Sequence, residues 1–230
     1  MANLVFVHGS GHTHDSFAAQ VAEFAGSDAV SLPGHPEGVA LGSVGECADW
    51  LAKYLHWKGD GPAIVAGNSL GGAIAIEWAL RYPADVAGLI LLGSGARLKV
   101  APRIFERIDD AWPACIDELI DLSVAHSAPA SLRERIGEWH RAVGRESTRR
   151  DYANCDAWDA MDRVAAIAAP TLIVVGAEDR MTPPKYAQLL QQKIAGSSLE
   201  LIEGAGHLAH AERPELVGAA IRRAFASVAA

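Results

Sequence analysis

Four apolar runs punctuate the chain, Leu4 to Val7, Ala63 to Ala66, Val86 to Leu92 and Thr171 to Val175. They are continuous rather than alternating and end near Gly, Pro or Asp, which predicts parallel strands buried on both faces. Weaker runs, Ala29 to Leu32 before Pro33-Gly34 and Leu199 to Ile202 before Glu203-Gly204, are further strand candidates. Between them the apolar spacing becomes helical. Val44 to Trp57, Leu70 to Arg81, Pro184 to Ile194 and Pro214 to Phe225 read as helices, the last two opening on a proline suited to a first turn. Alternating strands and helices imply an α/β fold, with a mostly parallel sheet covered on both faces.

From about Arg97 to Ala166 the rhythm changes. No strand is evident there, and Pro102, Pro113 and Pro129 each precede a helix-like stretch. The expected organisation is a core formed by 1–96 and 166–230, with an all-helical cap inserted at 97–165. Arg141, Arg145, Arg149 and Arg150 crowd this insertion with Glu146 opposing them. They could meet an acidic substrate, but solvated faces and ion pairs within the cap are the commoner outcomes.

At 230 residues the chain can bury one sizeable core, and half of it is hydrophobic. The net charge of −8 argues against a general nucleic-acid binder. No apolar stretch reaches membrane-spanning length, and the run at Leu4 lacks the basic residues of a signal segment. Cys47, Cys115 and Cys155 fit neither a disulfide framework nor a zinc pattern, so reduced thiols in the cytoplasm are expected.

The chemistry centres on Gly67-Asn68-Ser69-Leu70-Gly71, between a strand-like and a helix-like run. A serine at such a turn is pushed out of the backbone, and the following helix aims its first N–H groups at the reaction site. The pentapeptide alone is weak. A serine nucleophile needs a base, and the base an orienting acid. Asp179 lies just beyond the Thr171 strand and His207 just beyond the Leu199 strand. In a parallel sheet the carboxyl ends share one edge, so these loops converge there.

Four stretches together resemble the α/β-hydrolase fold superfamily of serine hydrolases with a helical cap. They are His8-Gly9-Ser10-Gly11, Gly67-Asn68-Ser69-Leu70-Gly71-Gly72, Gly176-Ala177-Glu178-Asp179-Arg180-Met181-Thr182-Pro183 and Gly206-His207. The resemblance covers the core from end to end, whereas the insertion matches only in being helical. It implies Ser69, Asp179 and His207 as nucleophile, acid and base, and the backbone N–H groups of Ser10 and Leu70 as the oxyanion hole. Glu178 and His210 are the rivals for acid and base, but Asp179 has the family spacing to Pro183 and His210 lacks a preceding glycine. Members of the superfamily commonly carry two strands before the His-Gly strand. Here a sheet of about six strands is expected, leaving an edge that admits a homodimer.

Gly9, Asn68, Trp112, Trp139, Trp158 and Leu208 are the candidate pocket residues, with core packing the alternative role for the tryptophans. Asn68 is expected to make local hydrogen bonds. His8, His12, His14 and Asp15 suggest metal ligands but fit no complete pattern. No metal or organic cofactor is implied. The reading is a hydrolase of a small-molecule ester or thioester working through an acyl-enzyme on Ser69. Its rivals are a C–C hydrolase or a lyase on the same triad, resembling hydroxynitrile lyases or menaquinone-pathway synthases, and a ligand-binding protein of slow turnover.

Overall fold

A computed structural model describes residues 3–59 and 61–226, so the outermost ends of the expected core segments lie outside the described residues. In chain order, β1 (Asn3–Val7), α1 (Ala18–Glu23), β2 (Asp28–Val30), α2 (Val44–Lys58), β3 (Ala63–Asn68), α3 (Leu70–Arg81) and β4 (Val86–Leu92) form the first half. Three helices follow without an intervening strand, α4 (Pro102–Ala111), α5 (Cys115–Ser123) and α6 (Ala130–Ala157). The chain then returns through β5 (Thr171–Gly176), α7 (Pro184–Lys193), β6 (Ser198–Ile202), α8 (Ala209–Glu212) and α9 (Pro214–Ala224). The six strands pair in parallel in the order β2-β1-β3-β4-β5-β6.

Side chains alternate across each strand, and the two faces meet different helices. Val5, Val65, Leu89, Leu91 and Ile173 pack with residues of α2, α3 and α7, among them Leu51, Ile74 and Leu190. On the opposite face Leu4, Phe6, Ile64, Ile90 and Leu172 meet Val217, Ala220 and Ile221 of α9. The apolar runs are continuous because both faces are covered.

Register brings the carboxyl ends level. Val7 lies opposite Gly67, Asn68 opposite Leu92, Leu92 opposite Val174 and Gly176 opposite Ile202. The loops after β1, β3, β5 and β6 therefore open at one edge, and these are the loops that carry Ser10, Ser69, Asp179 and His207.

The helical segment between β4 and β5 closes on itself at its base. Ala160 N donates to Ala96 O at 2.8 Å, beside a bridge between Arg97 and Asp159. Its apolar residues form two clusters. Ile104, Ile108, Cys115, Leu119 and Tyr152 make one, and Ile116, Ile120, Leu132, Ile136 and Trp139 the other. Helix α6 is divided at Gly144, which sits at φ 81° and ψ 170°. Beyond that break Cys155 and the following Trp158 join the core.

Arg145 and Arg149 on α6 turn to α4 rather than to Glu146. Arg149 Nε meets Asp109 Oδ1 at 2.6 Å, and Arg145 donates to the Asp109 carbonyl at 3.3 Å. The three cysteines are free and buried. Among the described residues no helix is long and apolar enough to cross a membrane.

Candidate active site

Ser69 follows β3 directly and precedes α3. Its backbone, at φ 54° and ψ −113°, gives the one positive φ of a non-glycine residue among the described residues. Such a conformation costs on the order of 1–3 kcal/mol and persists only where the surroundings over-determine it. Here they do: Ser69 N donates to Leu92 O at 2.9 Å, while Ser69 O accepts from Ala73 N at 3.1 Å and from Ser94 Oγ at 3.0 Å. The small neighbours are steric requirements. A Cβ on Gly67 would collide with the Gly71 carbonyl, and one on Gly71 with the carbonyl of Val7. The turn is therefore wedged between β1 and its own helix.

His207 and Asp179 meet as expected from their loops. His207 Nδ1 and Asp179 Oδ2 lie 2.9 Å apart, both groups buried. The other aspartate oxygen, Oδ1, accepts from the amides of Met181 at 2.9 Å and Thr182 at 2.8 Å. Thr182 Oγ1 donates to Asp179 Oδ2 at 2.9 Å and lies 3.1 Å from His207 Nδ1. With Nδ1 facing the carboxylate, the neutral ring carries its proton there and keeps a lone pair on Nε2. Among the described residues Nε2 has no protein partner, and the ring borders a small cavity with Ser69, Ser10, His12, Asn68, Ser123, Tyr152 and Met181.

Two buried groups hold this arrangement from behind. Glu212 takes the Gly206 amide on Oε1 and the Ala125 amide on Oε2, each at 2.8 Å, tying the His207 loop to the turn before α6. Burial pushes its carboxyl above the ordinary carboxylate value despite those two donors. Asn68 Nδ2 donates to Leu92 O and His207 O, both at 3.2 Å. These partners come from two distant loops, so the role of Asn68 is not local as expected: it joins the strand before Ser69 to the loop of His207.

The rival residues have other surroundings. Among the described residues Glu178 receives only the His126 amide, at 3.4 Å, on the surface. His210 is fully buried and stacked on Phe17 at 4.2 Å between ring centroids; burial and then His207 bring it down to about 3. His8 donates Nδ1 to Gly9 O at 2.9 Å and accepts Leu32 N on Nε2 at 3.0 Å. His14 bonds Ser31, and Asp15 bonds Thr13.

The Ser10 and Leu70 amides have no protein acceptor among the described residues, and their loops touch: a Cβ on Gly9 would lie 3.4 Å from the Ser69 Cβ. A larger cavity of about 280 Å³ opens beside Ser69 and Ser10. Leu98, Val100, Ile104, Leu122, Met181 and Tyr186 give it apolar walls, while Lys99, Arg103 and Arg180 stand at its lining. Four of the expected pocket residues lie elsewhere. Trp139 and Leu208 fill one helical cluster, Trp112 packs between the two clusters, and Trp158 donates to Glu77 Oε2 at 3.0 Å in the core. Gly9 supports the loop without lining the cavity; of the set, Asn68 borders the smaller cavity. Sequence reasoning missed Tyr152, Leu98 and Ile104, which the helical segment brings over Ser69 without any motif to announce them.

Comparison with known proteins shows the family. Residues 4–220 match the model of the alpha/beta hydrolase family. The pimeloyl-[acyl-carrier protein] methyl ester esterase of Neisseria meningitidis serogroup B is 30% identical over 232 residues, spanning 90% of this chain and 87% of that protein. A thermophilic esterase of known structure superposes with a TM-score of 0.90 at 30% identity, over 98% of this chain and 90% of its own. A thermophilic esterase from Thermogutta terrifontis gives 0.88 at 26% identity, over 100% and 91%. The chain belongs to the alpha/beta hydrolase family. It is a hydrolase.

Proposed function

We propose that the protein is a serine esterase acting on a small carboxylic ester or thioester, with Ser69, His207 and Asp179 as its triad. The observation that carries this reading is the conjunction at one cavity of a strained serine and a histidine whose far nitrogen is held by a buried aspartate. His207 Nε2 takes the Ser69 proton as Oγ attacks the carbonyl. The charge that develops on the carbonyl oxygen falls to the Ser10 and Leu70 amides, whose loops meet beside Ser69. The histidine then protonates the leaving alcohol or thiol, and later draws a proton from the water that releases the acyl group.

Asp179 keeps the proton on Nδ1 and stabilises the imidazolium that forms, while Thr182 and two amides fix the carboxylate. The helical segment α4–α6 serves as the cap, its Ile104, Leu122 and Tyr152 giving the acyl chain an apolar enclosure. The esterase names borne by the relatives at 30% identity support an ester substrate.

An active-site phosphonate followed by a burst assay on p-nitrophenyl esters tests the reading. The expected result is one adduct, on Ser69, together with rapid ester turnover. An adduct without turnover would transfer the site to a lyase or a ligand-binding protein. No adduct at all would remove Ser69 as a nucleophile.

A further inference from the structure

The loop that carries the Ser10 amide does not rest on the sheet alone. Its floor is α6, on both sides of Gly144. Gly11, at φ +70°, leaves no room for a Cβ between itself and the ring of His140, with Thr148 Oγ1 next in line. Ser10 Oγ lies 3.7 Å from Cys155 Sγ. Between these contacts the Gly11 amide donates to Asp151 Oδ2 at 2.8 Å, buried. Residues 148, 151 and 155 are spaced to share one helical face, which is the face turned to the loop.

Asp151 has a second partner. The same oxygen lies 2.8 Å from His35 Nε2, with both side chains almost wholly buried. The other nitrogen of His35, Nδ1, faces the carbonyl oxygens of Leu32 and Pro33, each at 3.2 Å. Every neighbour of both ring nitrogens is thus an acceptor. A neutral imidazole offers one N–H and one lone pair, so one contact would set a lone pair against an acceptor. The doubly protonated ring satisfies both. Burial works against that charge, but the Asp151 bond and its negative charge, with the two carbonyls, outweigh it and set His35 above its ordinary value.

The titratable neighbours add no competing charge. His8, with its ring centroid 4.7 Å away, is brought down to about 3 by burial and by His35 itself. Cys47 and Cys155 are pushed up by burial to about 12, and burial raises Tyr152 as well.

We infer that Asp151, held by a His35 imidazolium, is a positioning residue that clamps the Ser10–Gly11 loop to α6 and so sets the first oxyanion donor. The inference rests on the esterase reading above. It makes the part of α6 beyond Gly144 belong to the oxyanion scaffold rather than to a lid. A carboxylate that accepts a backbone amide and an imidazolium on one oxygen cannot be matched by the neutral, weaker acceptor of an amide side chain. Buried pairs of this kind are costly to break, because the partner is left charged and alone.

The test combines kinetics and nuclear magnetic resonance on the full chain. Asp151→Asn should lower kcat on a short p-nitrophenyl ester by on the order of tenfold, short of the roughly 10²–10³ that follows outright loss of an oxyanion donor. KM should hold, with rates expressed per phosphonate-titrated site so that misfolded protein does not count. Affinity for an aryl trifluoromethyl ketone should fall by the same factor. Its carbonyl carbon bonds to Ser69 Oγ, whose proton passes to His207, and its oxygen becomes the anion in the hole.

In the same variant the Gly11 amide resonance should move. In the unsubstituted protein both His35 ring nitrogens should read as protonated at neutral pH. An unchanged ketone affinity, an unmoved Gly11 amide, or a His35 nitrogen with a free lone pair would overturn the inference. Ester turnover that survives Ser69→Ala would instead overturn the reading beneath it, and the Gly11 and His35 resonances would still decide the clamp.

Discussion

Two buried histidine–aspartate pairs flank the site, nearly identical in length and opposite in chemistry. His207 and Asp179 lie 2.9 Å apart, His35 and Asp151 2.8 Å. In the first, the far nitrogen of the ring borders a cavity with Ser69. In the second it faces two carbonyl oxygens. A ring with acceptors at both ends must carry both protons and has nothing left with which to accept another. A ring with an acceptor at one end keeps a lone pair at the other. The surroundings of the second nitrogen, rather than the His–Asp contact, separate a base from a structural cation.

The contrast can be broken at several points. The largest effect is expected at Ser69, where Ser69→Ala should cut ester turnover by on the order of 10⁶. Single-turnover kinetics at matched folded concentration measures it. Next comes the base's anchor. Asp179→Asn allows the amide to donate to Nδ1 and favours the wrong tautomer, so kcat should fall by about 10⁴ while the fold is retained. Circular dichroism beside the rate separates the two. Asp151→Asn should have a far smaller effect on rate, because it loosens the oxyanion loop and leaves His207 untouched.

The smallest effect concerns stability and pH. His35 sits above its ordinary value of 6.5, so its stabilisation is fully present below pH 6.5 and is lost as pH rises through the raised value. Thermal midpoints of the unsubstituted protein and His35→Gln should therefore converge as pH is taken from 6 upward. Gln at this position does not titrate. A constant gap between the two would mean that His35 carries no extra proton in the fold.

The sheet was legible because both faces of its strands are buried. Leu4 to Val7, Ala63 to Ala66, Val86 to Leu92 and Thr171 to Val175 are unbroken apolar runs, and all became strands. The meeting of Asp179 with His207 could be read for a related reason, since each follows a strand and parallel strands end on one edge. The short helices α1 and α8 went unread: α1 has only six residues and one of them buried, and α8 only four. Nothing so short can show a helical period.

The second His–Asp pair was invisible for a deeper reason. His35 follows Pro33-Gly34 in what reads as a turn, and Asp151 follows Arg149-Arg150 in what reads as a charged surface. They meet only because α6 folds back across the carboxyl edge of the sheet, a tertiary event that local spacing does not record. The same applies to the tryptophans. Trp139 and Trp158 were drawn toward the pocket by size and by their place in the insertion, but large apolar rings fill whatever core is nearest, here the helical cluster and the main core. The pocket walls were left to medium side chains such as Leu98, Ile104 and Leu122, which no pattern distinguishes.

One convergence at Ser69 underlies the proposed chemistry, and a crystal structure of the phosphonate adduct tests it most directly. Phosphorus is expected on Ser69 Oγ, with a phosphoryl oxygen within hydrogen-bond distance of both the Ser10 and Leu70 amides and His207 Nε2 facing the leaving-group side. An adduct on another residue, or a phosphoryl oxygen turned away from those two amides, would contradict it.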